Sequence, residues 1–155
     1  DAIDLLDADH KMAQKQFLDY RGLCEDGAPS EARQQLALKI CQDLTVHTQI
    51  EEEIFYPALR EAIKETDLID EASVEHQTAK DLIAQIEQGL DSGATDDMFD
   101  AKVKVLGEQI EHHVDEEQDK MFPKCRSAKM DLAALGKALA RRKDELLREA
   151  AEEIV

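Results

Sequence analysis

Four stretches of the chain place apolar residues at alternating steps of three and four, the spacing that lines one face of an α-helix. The first seam is Ile3, Leu6, His10, Ala13, Phe17 and Tyr20, and the second is Leu36, Ile40, Leu44, His47, Glu51, Ile54 and Ala58. The third runs Ile69, Ala72, His76, Ala79, Ile83, Ile86 and Leu90, and the fourth Phe99, Val103, Leu106, Ile110, His113 and Glu117. Turn-forming residues collect in "EDGAPSE" and "DSGATDD", between the members of each pair. Pro57 and Pro123 are expected to break or kink the chain where the second helix of each pair ends. The pattern predicts an all-α fold, an up-down four-helix bundle built over residues 1–125 from two pseudo-symmetric helix pairs. Residues 126–155 read as an additional C-terminal amphipathic helix, with Leu132, Leu135, Leu139 and Leu146 on one side, packed on the bundle or used in association.

The seams are not purely apolar. Four of the five histidines and two glutamates stand where Leu or Ile would be expected. A shift of 66 residues brings the landmarks into register: Asp4 onto Asp70, "DH" at 9–10 onto "EH" at 75–76, Gly27-Ala28 onto Gly93-Ala94, His47 onto His113, Glu51 onto Glu117 and Pro57 onto Pro123. Self-similarity at a fixed offset points to one helix–loop–helix unit used twice, the two copies packing about a pseudo-twofold axis. Ionised carboxylates in a low-dielectric core cost several kcal/mol unless paired, and two of them close together repel. The seams hold almost no Lys or Arg to pair with them, so a bound metal ion is the economical partner. Imidazoles with carboxylates suit Fe, Zn or Mn, and two carboxylates in one layer are placed to bridge two ions.

Composition narrows the classes. The chain has 155 residues with 43% hydrophobic, 35% charged and only 4% aromatic side chains, which fits one globular helical domain. Its net charge of −17 argues against nucleic acid and anionic membranes as partners. No apolar run approaches the roughly 20 residues that span a bilayer. Cys24, Cys41 and Cys125 are odd in number and lack CxxC spacing, which fits buried thiols in a reducing, cytoplasmic setting. The chain opens at Asp1 rather than Met, which leaves room for a lost leader.

As a set, His10 after Asp9, His47-x3-Glu51 ending in "FYP", "EH" at 75–76 and His113-x3-Glu117 ending in "MFP" resemble the hemerythrin-like, HHE cation-binding domain over residues 1–125. Ferritin-like carboxylate enzymes fit less well, because their Glu-x-x-His has the reverse order and a spacing of three. The resemblance implies a non-haem di-iron centre, oxo- or hydroxo-bridged, with Zn or Mn as possible substitutes. Its ligands would be His10, His47, Glu51, His76, His113 and Glu117, and its small-molecule ligand O2, hydrogen peroxide or NO. His112 and Glu116 form a competing i, i+4 pair, but only His113 and Glu117 lie on the seam and match the repeat.

Hemerythrin proper carries a fifth histidine a turn beyond the third-helix ligand. Here Lys80 stands in that place, with Gln14 as its repeat mate. Both are candidates to approach the centre from outside the ligand set. Two six-coordinate ions need about twelve ligand positions. The six residues and one bridging oxygen leave about two free, one on each ion, so the expectation is an open and symmetric site. Ala13 and Ala79, each one turn from a histidine, either tighten helix packing or leave room for a small ligand. On these grounds the chain is expected to bind or react with O2, peroxide or NO. An enzyme, for instance a peroxide-decomposing one, and a reversible O2-, NO- or iron-sensing module stay open as alternatives, and a monomer or a homodimer equally so.

Overall fold

The computed structural model describes residues 1–93 and 95–154; the repeat correspondence at Ala94 and the last residue of the C-terminal segment lie outside them. The described chain forms helices joined by short turns. It runs as α1 (Ala2–Glu25), α2 (Ser30–Ile50), α3 (Tyr56–Ala62), α4 (Asp67–Ser92), α5 (Asp97–Glu116), α6 (Phe122–Ser127) and α7 (Leu132–Ile154). α2 passes into α3 through a single π-helical turn, Glu51–Phe55, and α5 into α6 through another, Glu117–Met121, so five helical rods are formed. Asp1 and Asp4 form a reciprocal capping box on α1, and Asp96 caps α5 by accepting from the Phe99 N–H. Gly27 and Gly93, repeat mates, take the left-handed backbone that the turn after each first helix needs.

α1, α2, α4 and α5 form the four sides of the bundle, each packed on its two neighbours, and α7 lies along α1 and α2. The close approach of α7 depends on Gly136. A Cβ there would stand 2.8 Å from the backbone of Asp1 and Ala2. Leu139 and Leu146 are buried, in one apolar block with Leu6, Ile50, Phe55, Leu59 and Phe122. A second block, around Ile40, Leu44, Ile83, Phe99 and Leu106, fills the other end. No helix among the described residues is long and apolar enough to cross a membrane.

The seams hold up to Glu51 and then slip by one residue. Ile54 and Ala58 are only half-buried, whereas Phe55 and Leu59 are fully buried. The cause is the π turn, in which the Tyr56 N–H donates to the Glu51 carbonyl and one extra residue enters the helix. The same turn corrects the expectation for the prolines. In an unbroken α-helix the ring of Pro57 would meet the carbonyl of Glu53. Widening the turn moves that carbonyl aside, so the helix continues to Ala62 rather than ending at Pro57. Pro123 follows the second π turn in the same way, and that helix runs on to Ser127.

Candidate metal centre

All six seam donors meet in one buried layer at mid-bundle, between the two apolar blocks. α1 brings His10, α2 His47, α4 His76 and α5 His113, while Glu51 and Glu117 open the two π turns. His10, His47, Glu51 and Glu117 bring one donor atom each within 4.8 Å of one another, and Glu51, His76 and His113 do the same. Glu51 therefore belongs to both groups. Its Oε1 lies 3.3 Å from His47 Nε2 and 3.2 Å from His76 Nε2. Glu117 also spans the layer, with Oε1 2.9 Å from His113 Nε2 and 3.4 Å from His10 Nε2.

For most of these atoms proximity is not hydrogen bonding. Glu51 Oε2, both oxygens of Glu117, both ring nitrogens of His10 and Nε2 of His47 are buried without an aligned partner. Such orphaned groups are rare and costly in a folded core. Donor atoms around an ion at about 2.0–2.2 Å stand roughly 3 Å apart, which is the spacing found. Buried imidazole and carboxylate donors without a lysine or arginine among them fit transition-metal ions. In the metal-free chain protons take that role. Burial works against a charged imidazole, but the Glu51 carboxylate and the bond to Asp9 outweigh it and push His47 up to about 10. His113 is pushed up to about 12 against the same burial cost, by Glu117, Glu51 and Glu75.

An outer layer orients the rings. His47 Nδ1–H donates to Asp9 Oδ2 at 2.8 Å, and His113 Nδ1–H donates to Glu75 Oε1 at 3.0 Å. Asp9 and Glu75 are repeat mates, so each half holds one histidine of the layer through a carboxylate and turns Nε2 toward the other donors. The acid before each "H" of the DH and EH pairs was the visible trace of this role. A cavity of about 320 Å³ reaches all four histidines from the side of α1, α2 and α7, lined also by Ala13, Gln16 and Lys143.

The two halves differ at one place that periodicity missed. Tyr56 Oη lies 3.2 Å from both His76 Nε2 and His113 Nε2, and its hydroxyl donates to Glu51 Oε1 at 3.4 Å. The repeat mate of Tyr56 is Phe122, which stacks on His10 with ring centres 6.0 Å apart. The expected symmetric, open site is thus corrected to an asymmetric one, with a phenol on one side and an apolar ring on the other. The signal was present as "FYP" against "MFP", but an unbroken helix puts residue 56 off the seam. Burial and the Glu117 and Glu51 carboxylates hold the phenol well above its usual range.

Neither outlying candidate touches the donors directly, although the Glu52 carboxylate that Lys80 holds stands 3.7 Å from His76 Nδ1. Gln14 is exposed and borders a groove between α1 and α5 instead. Lys80 extends outward to Glu52, Nζ to Oε1 2.6 Å, because a long ammonium-bearing chain finds a carboxylate and water there. His112 is 68% exposed beside Glu75 and Glu116, outside the buried layer. His112→Ala is accordingly expected to take up metal like the parent chain; loss of uptake in a metal titration would reverse the assignment of the α5 register.

The profile of the Hemerythrin HHE cation binding domain matches residues 1–125. Among curated proteins there is no significant match. The fold is similar to the crystal structure of a hemerythrin HHE cation-binding domain-containing protein, an Rv2633c homologue from Mycobacterium kansasii, at 25% identity and a TM-score of 0.66, covering 94% of this chain and 90% of that one. A family profile spanning four helices and a solved relative of matching fold agree with the layer of buried donors: the chain belongs to the hemerythrin HHE cation-binding domain family.

Proposed function

We propose that the chain is a non-haem di-iron protein that binds or reacts with O2 or peroxide, or with NO, in its bundle core. The observation that carries this reading is the pair of overlapping donor groups joined by Glu51. His10 and His47 would hold one ion and His76 and His113 the other, with Glu51, which belongs to both groups, and Glu117 placed between them. Tyr56 would offer a seventh donor on the His76 and His113 side. Two irons so held would supply two-electron chemistry toward O2 or peroxide.

The remaining residues set the conditions for that chemistry. Asp9 and Glu75 keep protons on the outer nitrogens of His47 and His113, which fixes the tautomer that can ligate. The apolar blocks above and below the layer keep bulk water out. Entry is left to the cavity between α1, α2 and α7, which reaches His10 and where Ala13 leaves space. The His10 and His47 half is therefore the side on which a small molecule would arrive.

Metal analysis of the iron-supplied chain is expected to give about two iron atoms per chain, with peroxide changing the optical spectrum. Sustained O2 release from added peroxide would identify an enzyme, and a single stoichiometric change a binding module. Fewer than two irons at saturation, or full loading by Zn or Mn alone in preference to iron, would overturn the di-iron reading. A sensing role draws on one further observation: α7 borders the cavity through Lys143 and Leu147.

A further inference from the structure

The carboxylates that hold His47 and His113 are repeat mates, but their own partners are not. Lys143, on α7, places Nζ 2.6 Å from Asp9 Oδ1, while Asp9 Oδ2 accepts from His47 Nδ1 at 2.8 Å. The carboxylate is only 13% exposed and the lysine 33%. Glu75 has no such lysine: its second oxygen faces the exposed His112, at 3.5 Å. The fifth helix thus adds a fixed positive charge to one half of the centre and not to the other. Lys143 also borders the cavity that reaches the histidines.

We propose that Lys143 is a positioning residue of the metal centre, acting through Asp9 on His47, so that α7 sets the affinity of the His10 and His47 half. The inference rests on the metal-binding reading above. A carboxylate shared between an ammonium and an imidazole N–H is held in one rotamer, since each oxygen has its own donor. Without the ammonium, Asp9 is free to turn toward the water of the cavity. His47 then loses the bond that keeps Nδ1–H outward and Nε2 on the donor layer. Loss of such outer partners ordinarily weakens metal binding by roughly 10–100-fold. The other half, held by Glu75, should be untouched.

The test compares Lys143→Met, which keeps the apolar stem, with Lys143→Arg and with Arg142→Met. Arg142 is the neighbouring α7 residue and pairs with Glu53 at 2.7 Å, away from the donor layer. Each purified full chain is titrated with Co(II) alone, and the His47 Nδ1–H resonance is followed by NMR in the Zn(II)-loaded protein. Lys143→Met is expected to weaken one of the two Co(II) equivalents by at least about tenfold and to lose the protected resonance. Lys143→Arg should restore both in large part, and Arg142→Met should change neither. Equal losses in Lys143→Met and Arg142→Met would mean that the lysine merely anchors α7, and would overturn the proposal. Unchanged affinity and an unchanged resonance in Lys143→Met would overturn it alone, whereas a parent chain that takes up no Co(II) would overturn the metal reading with it. Should Lys143→Met fail to fold, Lys143→Gln takes its place with the same two outcomes.

Discussion

Replacing Glu51 by alanine is expected to lower metal content from about two ions per chain to one or none, and to destabilise the metal-free protein as well. Glu51 is fully buried, touches His47, His76 and His113, and belongs to both donor groups. Without it, neither half keeps its donor set. In the metal-free chain its carboxylate lies well below the usual range: burial opposes ionisation, but the positive charge of His47 and the other groups crowded on it outweigh that cost. At neutral pH it therefore balances buried imidazolium charge on His47 and His113. Breaking a buried pair by removing one partner costs about 3–5 kcal/mol, a fall in Tm of roughly 10 °C for a chain of this size. Metal analysis and thermal unfolding of metal-free Glu51→Ala would measure the two effects. Full two-ion loading in the variant would remove Glu51 from the set of bridging residues.

Tyr56→Phe is the second large change expected, and its signature is optical. If the phenol ligates, iron(III) loading will produce an intense visible phenolate-to-iron charge-transfer band, which the phenylalanine variant cannot have. An iron(III) ion bound there would reverse the electrostatics that keep the phenol protonated in the metal-free chain. The variant should retain four imidazoles and both carboxylates, so it should still bind two ions. Affinity on the His76 and His113 side should fall by at least about tenfold. An identical visible spectrum in parent and variant would reduce Tyr56 to a hydrogen-bond partner of Glu51.

The residues that were legible in the sequence share one property: they break an apolar rule on a regular helix. His10, His47, Glu51, His76, His113 and Glu117 each occupy a seam position and recur at one offset, so periodicity alone exposes them. The helix count and the loops near Gly27 and Gly93 follow from the same regularity. Tyr56 escaped because its place depends on a one-residue irregularity that no seam announces. Asp9 and Glu75 were visible as acids beside histidines, yet their partners lie 38 residues away and only packing brings them together. Lys143 is 134 residues from Asp9 and has no repeat mate, so neither spacing nor symmetry marks it.

Expressed as phase, each π turn is a one-residue insertion. An α-helix advances by about 100° per residue, so a version lacking the insertion would carry residue 56 more than a quarter of a revolution away from the donors. Glu51 would keep its place, and the phenol would leave. The phase offset is common to both halves, since the turns at Glu51–Phe55 and Glu117–Met121 are repeat mates, whereas the phenol belongs to one half only. If the halves descend from one duplicated unit, the offset is the ancestral trait and the tyrosine or the phenylalanine the derived one. The ancestral centre would then have had the same aromatic ring on both sides, and its departure from symmetry would be a later change at a position the insertion had already aimed at the donor layer.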